Sequence, residues 1–337
     1  MDQSTNSNAT APVKRLRENV WHVYREGDRS YFQTTDGTFE VPTSEALEFI
    51  KIRPHFSGCT TLDEIAARSG VPKQRVADIA QSLDEAQLFQ GSVASDDERA
   101  VRERLSKVTA IWSKELTSLY IANKLLANDY SKTILVGWLC EMYHYVKSFP
   151  AVIQVAADGC QDPETRAIIQ EYANQERGHE GFVLQTLVNL GLKEQEVRRS
   201  NPLPSTQLIT FLMRKLFEIS PTMVFAMASL VESQEWDDSN SEAFKQQMGE
   251  KFGISADALT PFLMHQKIDT EMGHGTLLAR HLQRIDVSNL ERFSEAINVL
   301  HDLKHAFELQ TAEIESYYGG DLQGRYMPRL AMEAAAL

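Results

Sequence analysis

Residues 172–182, YANQERGHEGF, carry the pattern from which the rest of the fold can be predicted. Glu176 and His179 stand three positions apart in it, so at about 100° per residue they share one face of a helix. Four apolar side chains lie on the same predicted face: Ile169, Tyr172, Val183 and Leu187. A carboxylate on such a face is costly to bury unless a positive charge meets it. The stretch therefore predicts a helical bundle with a charged site in its core.

Three other apolar stripes carry acids or histidines: Glu141 lies in LCEMYHYVKSFP, Glu232 in SLVESQEW, and His265 with Asp269 in HQKIDTEMGHG. With Glu176, these segments place four carboxylates on separate predicted helices. Two divalent metal ions balance four negative charges, and carboxylate and imidazole ligands without thiolates suit iron or manganese better than zinc. Di-metal carboxylate sites are built in bundle cores from E-x-x-H pairs. The predicted metal ligands are Glu141, Glu176, His179, Glu232, His265 and Asp269.

The last of these helices leaves a second choice of ligands. Glu271 and His274 form another E-x-x-H pair, which would complete the ferritin-like pattern. In a continuous helix His274 lies about 180° around from His265, on the face of Lys267. We therefore favour His265 and Asp269 as the inward-facing pair. His144 follows Glu141 at i+3, and we expect it beside the site or at the surface rather than as a ligand.

Composition restricts the classes of partner. The chain has 337 residues and a net charge of −13, which argues against nucleic acid or an anionic membrane as a partner. Its three cysteines are scattered, which indicates a reducing, cytoplasmic setting rather than a disulfide framework. No stretch approaches 18 uninterrupted apolar residues, so we expect no membrane span.

Changes in polarity along the chain predict its organisation. The predicted parts are a disordered leader (1–13), a small α+β domain (14–92), a linker (93–103), a helical bundle (104–318) and an extended tail (319–337). In the small domain, VWHVY, SYFQTT and TFEV predict three strands, with a hairpin turn at Asp36-Gly37. Thr61 and Glu64 form a capping box that begins a helix. This order of strands and helices is typical of a winged-helix-like domain.

From about residue 104 to 318 the chain resembles the heme-oxygenase-like di-iron oxidases and oxygenases, of the iron-containing redox enzyme type. The resemblance rests on the six predicted ligands in the segments quoted above. It implies a mainly α fold, a seven-helix up-and-down bundle holding two Fe²⁺ ions, with O₂ as co-substrate and manganese as the alternative metal. It also implies N-oxygenation, desaturation or C–C cleavage of an amine, amino acid, carboxylate or peptide-borne residue in a biosynthetic pathway.

One position departs from the family's pattern. The family's last motif runs H-x-x-x-D-x-x-H, and Met272 stands where its final histidine belongs. A thioether is a poor ligand for a hard iron ion, so we expect fewer protein ligands at the second metal position. The same bundle also resembles the cofactorless PQQ-forming oxidase and a thiaminase. A metal-free enzyme of this fold therefore remains an alternative.

The small domain carries a resemblance of its own. The run from GTFEVPTSEALEFIKIRPHFSG through TTLDEIAARSGVPKQRVADIAQSLDEAQLF is similar to the peptide chaperone domain of PQQ biosynthesis and to precursor-peptide recognition domains. That implies a peptide partner. The other alternative is a winged-helix transcriptional regulator with a helical sensing domain, which would read DNA with Lys73, Gln74 and Arg75. Ten Lys/Arg against twelve Asp/Glu between residues 14 and 92 argue against DNA binding. For the whole chain we expect a homodimer.

Overall fold

The computed structural model of the chain divides into two compact units, Met1–Ile111 and Trp112–Leu337. The residues that the structure describes are 11–17, 20–91, 97–119, 121, 124–125, 130–233, 237–320 and 327–331. Most of the predicted leader, and residues 93–96 of the predicted linker, lie outside them. From Glu98 the chain is helical, so the first long helix begins before the predicted start of the bundle at residue 104.

The first unit contains a three-stranded antiparallel sheet in the order β1-β2-β3. The strands are β1 (Trp21–Glu26), β2 (Arg29–Thr34) and β3 (Gly37–Val41). Alternation of polar and apolar residues, with turn residues between the runs, explains why these segments pair. The three strands agree with the predicted ones.

Three helices complete this unit: α1 (Thr43–Ile52), α2 (Leu62–Ser69) and α3 (Lys73–Glu85). The predicted capping box begins α2. Glu64 Oε2 accepts from the Thr61 N–H at 2.8 Å, and Thr61 Oγ1 accepts from the Glu64 N–H at 3.3 Å. Both bonds satisfy N–H groups that a helix start leaves without partners. A core of its own lies between these elements and includes Trp21, Phe49, Ile52, Ile65 and Val76.

Helices make up the rest of the described chain. Their bounds are α4 (Glu98–Leu119), α5 (Lys132–Gly159), α6 (Pro163–Gln175), α7 (Glu180–Asn189), α8 (Glu194–Arg199), α9 (Pro204–Ile219), α10 (Val224–Val231), α11 (Asp238–Phe252), α12 (Thr260–Met272), α13 (Leu277–His281) and α14 (Leu290–Tyr318). In the second unit α5 packs against α6, α7 and α9, while α14 packs against α9 and α12 against α7. Within the described chain, the structure contains no helix with the length and apolarity that a membrane span requires.

Two breaks in the helices position the candidate site. The predicted helix around YANQERGHEGF is two helices, because α6 ends at Gln175 and α7 begins at Glu180. Gly178 between them has φ +91°, a conformation that glycine adopts without strain. At the second break α12 ends at Met272, Gly273 has φ +74°, and a 3₁₀ turn follows over His274–Thr276. Both breaks therefore turn the chain at a glycine beside a candidate ligand.

Candidate metal centre

Three side chains from two segments form the first group of possible ligands. His179, at the start of α7, lies beside His265 and Asp269 of α12. Its Nδ1 is 3.1 Å from Asp269 Oδ1, and His265 Nε2 is 3.3 Å from Asp269 Oδ2. One ligand atom from each of the three lies within 4.8 Å of the other two, a spacing that fits one metal ion.

A second group lies beside the first and shares one residue with it. Glu176, Asp269 and His274 also offer ligand atoms within 4.8 Å of one another. His274 Nδ1 is 2.8 Å from Glu176 Oε1 and 3.0 Å from Glu232 Oε2, so Glu232 borders the same position. Because Asp269 belongs to both groups, the two positions are adjacent and share a carboxylate, as in a di-metal site.

These side chains leave their inward atoms without hydrogen bonds. The buried atoms that have no hydrogen-bond partner among the described residues include Glu176 Oε1, His179 Nδ1, Glu232 Oε2, His265 Nε2, Asp269 Oδ1 and His274 Nδ1. Several of these atoms lie at ion-pair distance from one another, as His274 Nδ1 does from Glu176 Oε1 at 2.8 Å, but none makes a well-aligned hydrogen bond. Buried polar atoms are almost always hydrogen-bonded, so six such atoms in one place call for a specific explanation. Imidazole nitrogens and carboxylate oxygens are ligands that iron and manganese accept. The residues present therefore fit a pair of such ions.

The charges of the centre are coupled. Burial lowers the pKa of His274, but contacts with Glu176 and Glu232 outweigh it and raise that pKa to about 10. Burial also lowers the pKa of His179, but contacts with Asp269 and Glu176 outweigh it and raise that pKa to about 9. In the metal-free protein both imidazoles thus carry protons that offset the acids. A metal ion would displace these protons, since it binds neutral imidazole.

Glu141 belongs to neither group of ligand atoms, and protein donors already use both its oxygens. Glu141 Oε2 accepts from the Leu203 N–H at 2.8 Å and from Thr206 Oγ1 at 2.6 Å, and Oε1 accepts from Tyr318 Oη at 2.9 Å. The Tyr318 ring lies against Gly137, where a Cβ would approach the ring to 2.2 Å. Glu141 therefore holds helices together at a place apart from the two groups of ligand atoms.

His274 belongs to the second group of ligand atoms, although the sequence predicted that it faces away from the site. The expectation that it faces away from His265 assumed a continuous helix, and the helix ends at Met272. The turn at Gly273 buries His274, which is 1% exposed. Its partner in the ferritin-like alternative, Glu271, is exposed, so that E-x-x-H pair does not act together. A glycine in this position is a helix C-terminal signal that could have revealed the change of direction.

Two further expectations concern the neighbours of the site. Met272, at the position of the family's final histidine, is 39% exposed, and it is not in either group of ligand atoms. His144 is not in either group and hydrogen-bonds through Nε2 to Ser200 Oγ at 2.7 Å. Burial lowers the pKa of His144 to about 4, so it is neutral at physiological pH. His144 therefore lies outside both groups of ligand atoms, and its role as a residue beside the site stays a prediction.

Two comparisons with known proteins cover this part of the chain. Residues 136–297 match the family model described as iron-containing redox enzyme, a range that includes all six side chains of the centre. The chain is also similar to the crystal structure of a domain of unknown function with a heme oxygenase-like fold from Shewanella denitrificans. That likeness has 17% identity and a TM-score of 0.51, and it covers 71% of this chain and 100% of that one. None of the curated proteins matches.

The fold class follows from the structure and this likeness together. The chain is mainly α, with a heme-oxygenase-like helical fold preceded by a small sheet with helices. The predicted fold class is therefore confirmed. The family match supports the coarser part of the functional prediction, an oxidoreductase of the iron-containing type.

Proposed function

We propose that the protein is a non-heme di-iron oxygenase or oxidase. The observation that carries the proposal is the set of six buried ligand atoms without hydrogen bonds, one from each side chain of the centre. Glu176, Asp269 and His274, with Glu232 beside them, would hold one iron ion. His179, His265 and Asp269 would hold the other. A pair of Fe²⁺ ions supplies the electrons that reduce O₂, which no side chain of this site supplies by itself.

The charge of the centre favours one class among the predicted substrates. With Glu141 elsewhere, the ligands bring three carboxylates, whose charges do not fully balance the four positive charges of two Fe²⁺ ions. Buried charge is costly unless it is compensated, so a further anion would stabilise the loaded site. A substrate carboxylate would provide that anion. We therefore place amino acids and other carboxylates ahead of simple amines.

For the N-terminal unit we propose a peptide as the partner. Among the described residues β3 pairs with β2 alone, so its other edge offers backbone groups to an added strand. Phe39 on β3 is 53% exposed, and Leu47 and Ile50 of α1 are 55% and 42% exposed. The free edge of β3, with the exposed Phe39 on that strand, supports recognition of an extended peptide, and the exposed apolar side chains of α1 add apolar surface to the same unit.

Metal analysis after anaerobic loading with Fe²⁺ tests the enzymatic proposal. We expect about two iron ions per chain in the wild type, and uptake of O₂ when amino acids or other carboxylates are supplied. Asp269→Asn weakens a ligand common to both positions and should lower the count below one. Glu271→Gln, two residues further along the same helix, changes an exposed acid and should leave two.

Two outcomes would contradict the proposal. One is iron at background level in the wild type after loading. The other is O₂-dependent or hydrolytic turnover that persists in a strong chelator, which would favour the metal-free alternative. A substrate panel that reacts without metal would then assign the six side chains to binding an organic molecule directly.

A further inference from the structure

Two side chains on the last turn of α6 contact possible ligands that come from other segments. Tyr172 reaches Glu232 after α10, and Gln175 reaches His274 after α12. We propose that Tyr172 and Gln175 are positioning residues, which fix the carboxylate of Glu232 and the ring of His274 for metal binding. This inference rests on the proposed di-metal function.

Tyr172 holds one oxygen of Glu232 and leaves the other for a metal ion. Its Oη donates to Glu232 Oε1 at 2.6 Å, while Glu232 Oε2 has no hydrogen bond. The Tyr172 ring is 2% exposed and packs edge-on against His274, with ring centroids 4.8 Å apart. Phe149 packs against it from another direction, at 6.1 Å. Because the ring is enclosed, its hydroxyl oxygen is held in place beside Glu232 Oε1.

Gln175 determines which nitrogen of His274 carries the proton. Gln175 Oε1 lies 3.1 Å from His274 Nε2, and Gln175 Nε2 donates to Glu171 Oε1 at 3.3 Å, so the amide oxygen faces the imidazole. An amide oxygen only accepts, so the proton of the neutral ring is placed on Nε2. Nδ1 then offers its lone pair towards Glu176 and Glu232, where a metal ion would bind.

The two orienting contacts matter because their targets lie outside regular helix. Glu232 is the residue after α10, and His274 belongs to a 3₁₀ turn, so helical hydrogen bonding does not by itself fix their side chains. Tyr172 and Gln175 belong to α6, and Glu176 follows directly after its last residue. One helical turn therefore provides a ligand and orients two others, the arrangement in which outer contacts govern metal affinity.

Tyr172→Phe has a matched control in Tyr318→Phe. Each change removes a tyrosine hydroxyl that donates to a buried glutamate, at 2.6 Å to Glu232 and at 2.9 Å to Glu141. Anaerobic titration with Co²⁺, followed by visible absorption, reports affinity and ligand geometry independently of turnover. We expect Tyr172→Phe to weaken one of two binding steps by about 10- to 100-fold and to alter the spectrum. Tyr318→Phe should change neither, and equal effects of the two would overturn the inference.

Gln175 is tested by removal and by rescue. Gln175→Leu should weaken the same binding step by about 10-fold or more, whereas Gln175→Glu keeps an acceptor for His274 Nε2 and should retain tight binding. Gln170→Leu is the control, because the Gln170 amide bonds to Gln154 at 2.7 Å and not to the centre. Equal loss in the Leu and Glu variants of Gln175 would overturn its role. A wild type that binds two ions while all variants bind equally refutes this inference alone, whereas a wild type that binds none refutes the proposed function as well.

Discussion

Acidic side chains are enclosed at two places in the second unit, and the two places differ in how their oxygens are hydrogen-bonded. Glu141 receives hydrogen bonds from three protein donors, those of Leu203, Thr206 and Tyr318. The acids of the candidate centre instead face histidines and one another, and several of their atoms have no hydrogen bond. Burial of a carboxylate therefore does not identify a metal ligand. What distinguishes the two places is whether the protein itself satisfies the oxygens.

The Glu141 contacts join three helices of the unit. Leu203 and Thr206 lie at the start of α9, Tyr318 is the last residue of α14, and Glu141 is on α5. Gln310 of α14 extends the network by donating to Thr206 Oγ1 at 2.8 Å. A fully bonded polar network of this kind stabilises one arrangement of the helices. We therefore assign Glu141 to the structure of the bundle.

The largest expected effect is a loss of iron binding on substitution at the candidate centre but not at Glu141. Glu176→Gln removes an acid that contacts both His179 and His274, and we expect iron binding after anaerobic loading to fall by at least about 100-fold. Glu141→Gln should keep the wild-type iron count, because no atom of Glu141 belongs to either ligand group. Metal analysis of both purified variants measures the result. Loss of iron in Glu141→Gln would return that residue to the ligand set.

A smaller loss of iron binding is expected when the turn that carries His274 is displaced by a substitution at Gly275. A Cβ on Gly275 would lie 2.5 Å from the Glu232 carbonyl oxygen, so Gly275→Ala must push the turn away from Glu232. We expect iron binding about 10-fold weaker, because ligands must be held within about 0.5 Å of their positions. Gly181→Ala is the control, since a Cβ there meets nothing within 4 Å. Alanine in that helix should leave binding unchanged and stabilise the fold slightly. Equal binding by both alanine variants would contradict the proposed dependence on the turn.

The smallest expected effect is a change with pH in the difference in free energy of unfolding between wild type and Glu141→Gln. Burial raises the pKa of Glu141 above its ordinary 4.5, and hydrogen bonds from Thr206, Leu203 and Tyr318 offset this only in part. The protonated acid therefore contributes stability that is fully present below about pH 4.5 and is lost as pH rises through the folded pKa. Gln mimics the protonated form. The advantage of wild type over Glu141→Gln in free energy of unfolding should thus shrink as the pH rises above about 4.5.

Urea unfolding of the metal-free proteins, followed by circular dichroism, measures this difference. Glu271→Gln serves as the control, because Glu271 is exposed and its variant should track the wild type at every pH. An advantage of the wild type that grows with pH would show that the hydrogen bonds outweigh burial at Glu141. In that case the electrostatic argument that separates Glu141 from the acids of the candidate centre would fail.

The sequence predicted best what depends on neighbouring residues. The capping box at Thr61 and Glu64 and the three strands are local signals, and the structure contains them. The predicted hairpin turn is shifted by one residue: its loop is Thr35-Asp36, and Gly37 is already paired with Thr34 as the first residue of β3. The E-x-x-H spacing also brought Glu176 and His179 together, at 3.3 Å between Oε2 and Nδ1. That proximity does not need one continuous helix, which is why it survives the break at Gly178.

The sequence does not determine which residues meet when the contact depends on position along a helix or on where the helix ends. Periodicity places Glu141 on the inner face of α5, but it does not say which level of a 28-residue helix meets the centre. His274 was set aside because its rotation was counted past Gly273, where the helix has ended. An apolar stripe also does not show where the hydroxyl of Tyr172 points. Each of these positions depends on a contact between distant segments.

The spacing of the centre along the chain has a consequence for biosynthesis. Translation delivers Glu176 and His179 first and His274 last, with the Gly273 turn needed to bring its ring inward. Until that turn leaves the ribosome, the acids of the earlier segments lack one of the imidazoles that offset them. The site is therefore completed late in synthesis, so the proposed metal ions would bind only after most of the polypeptide has been made.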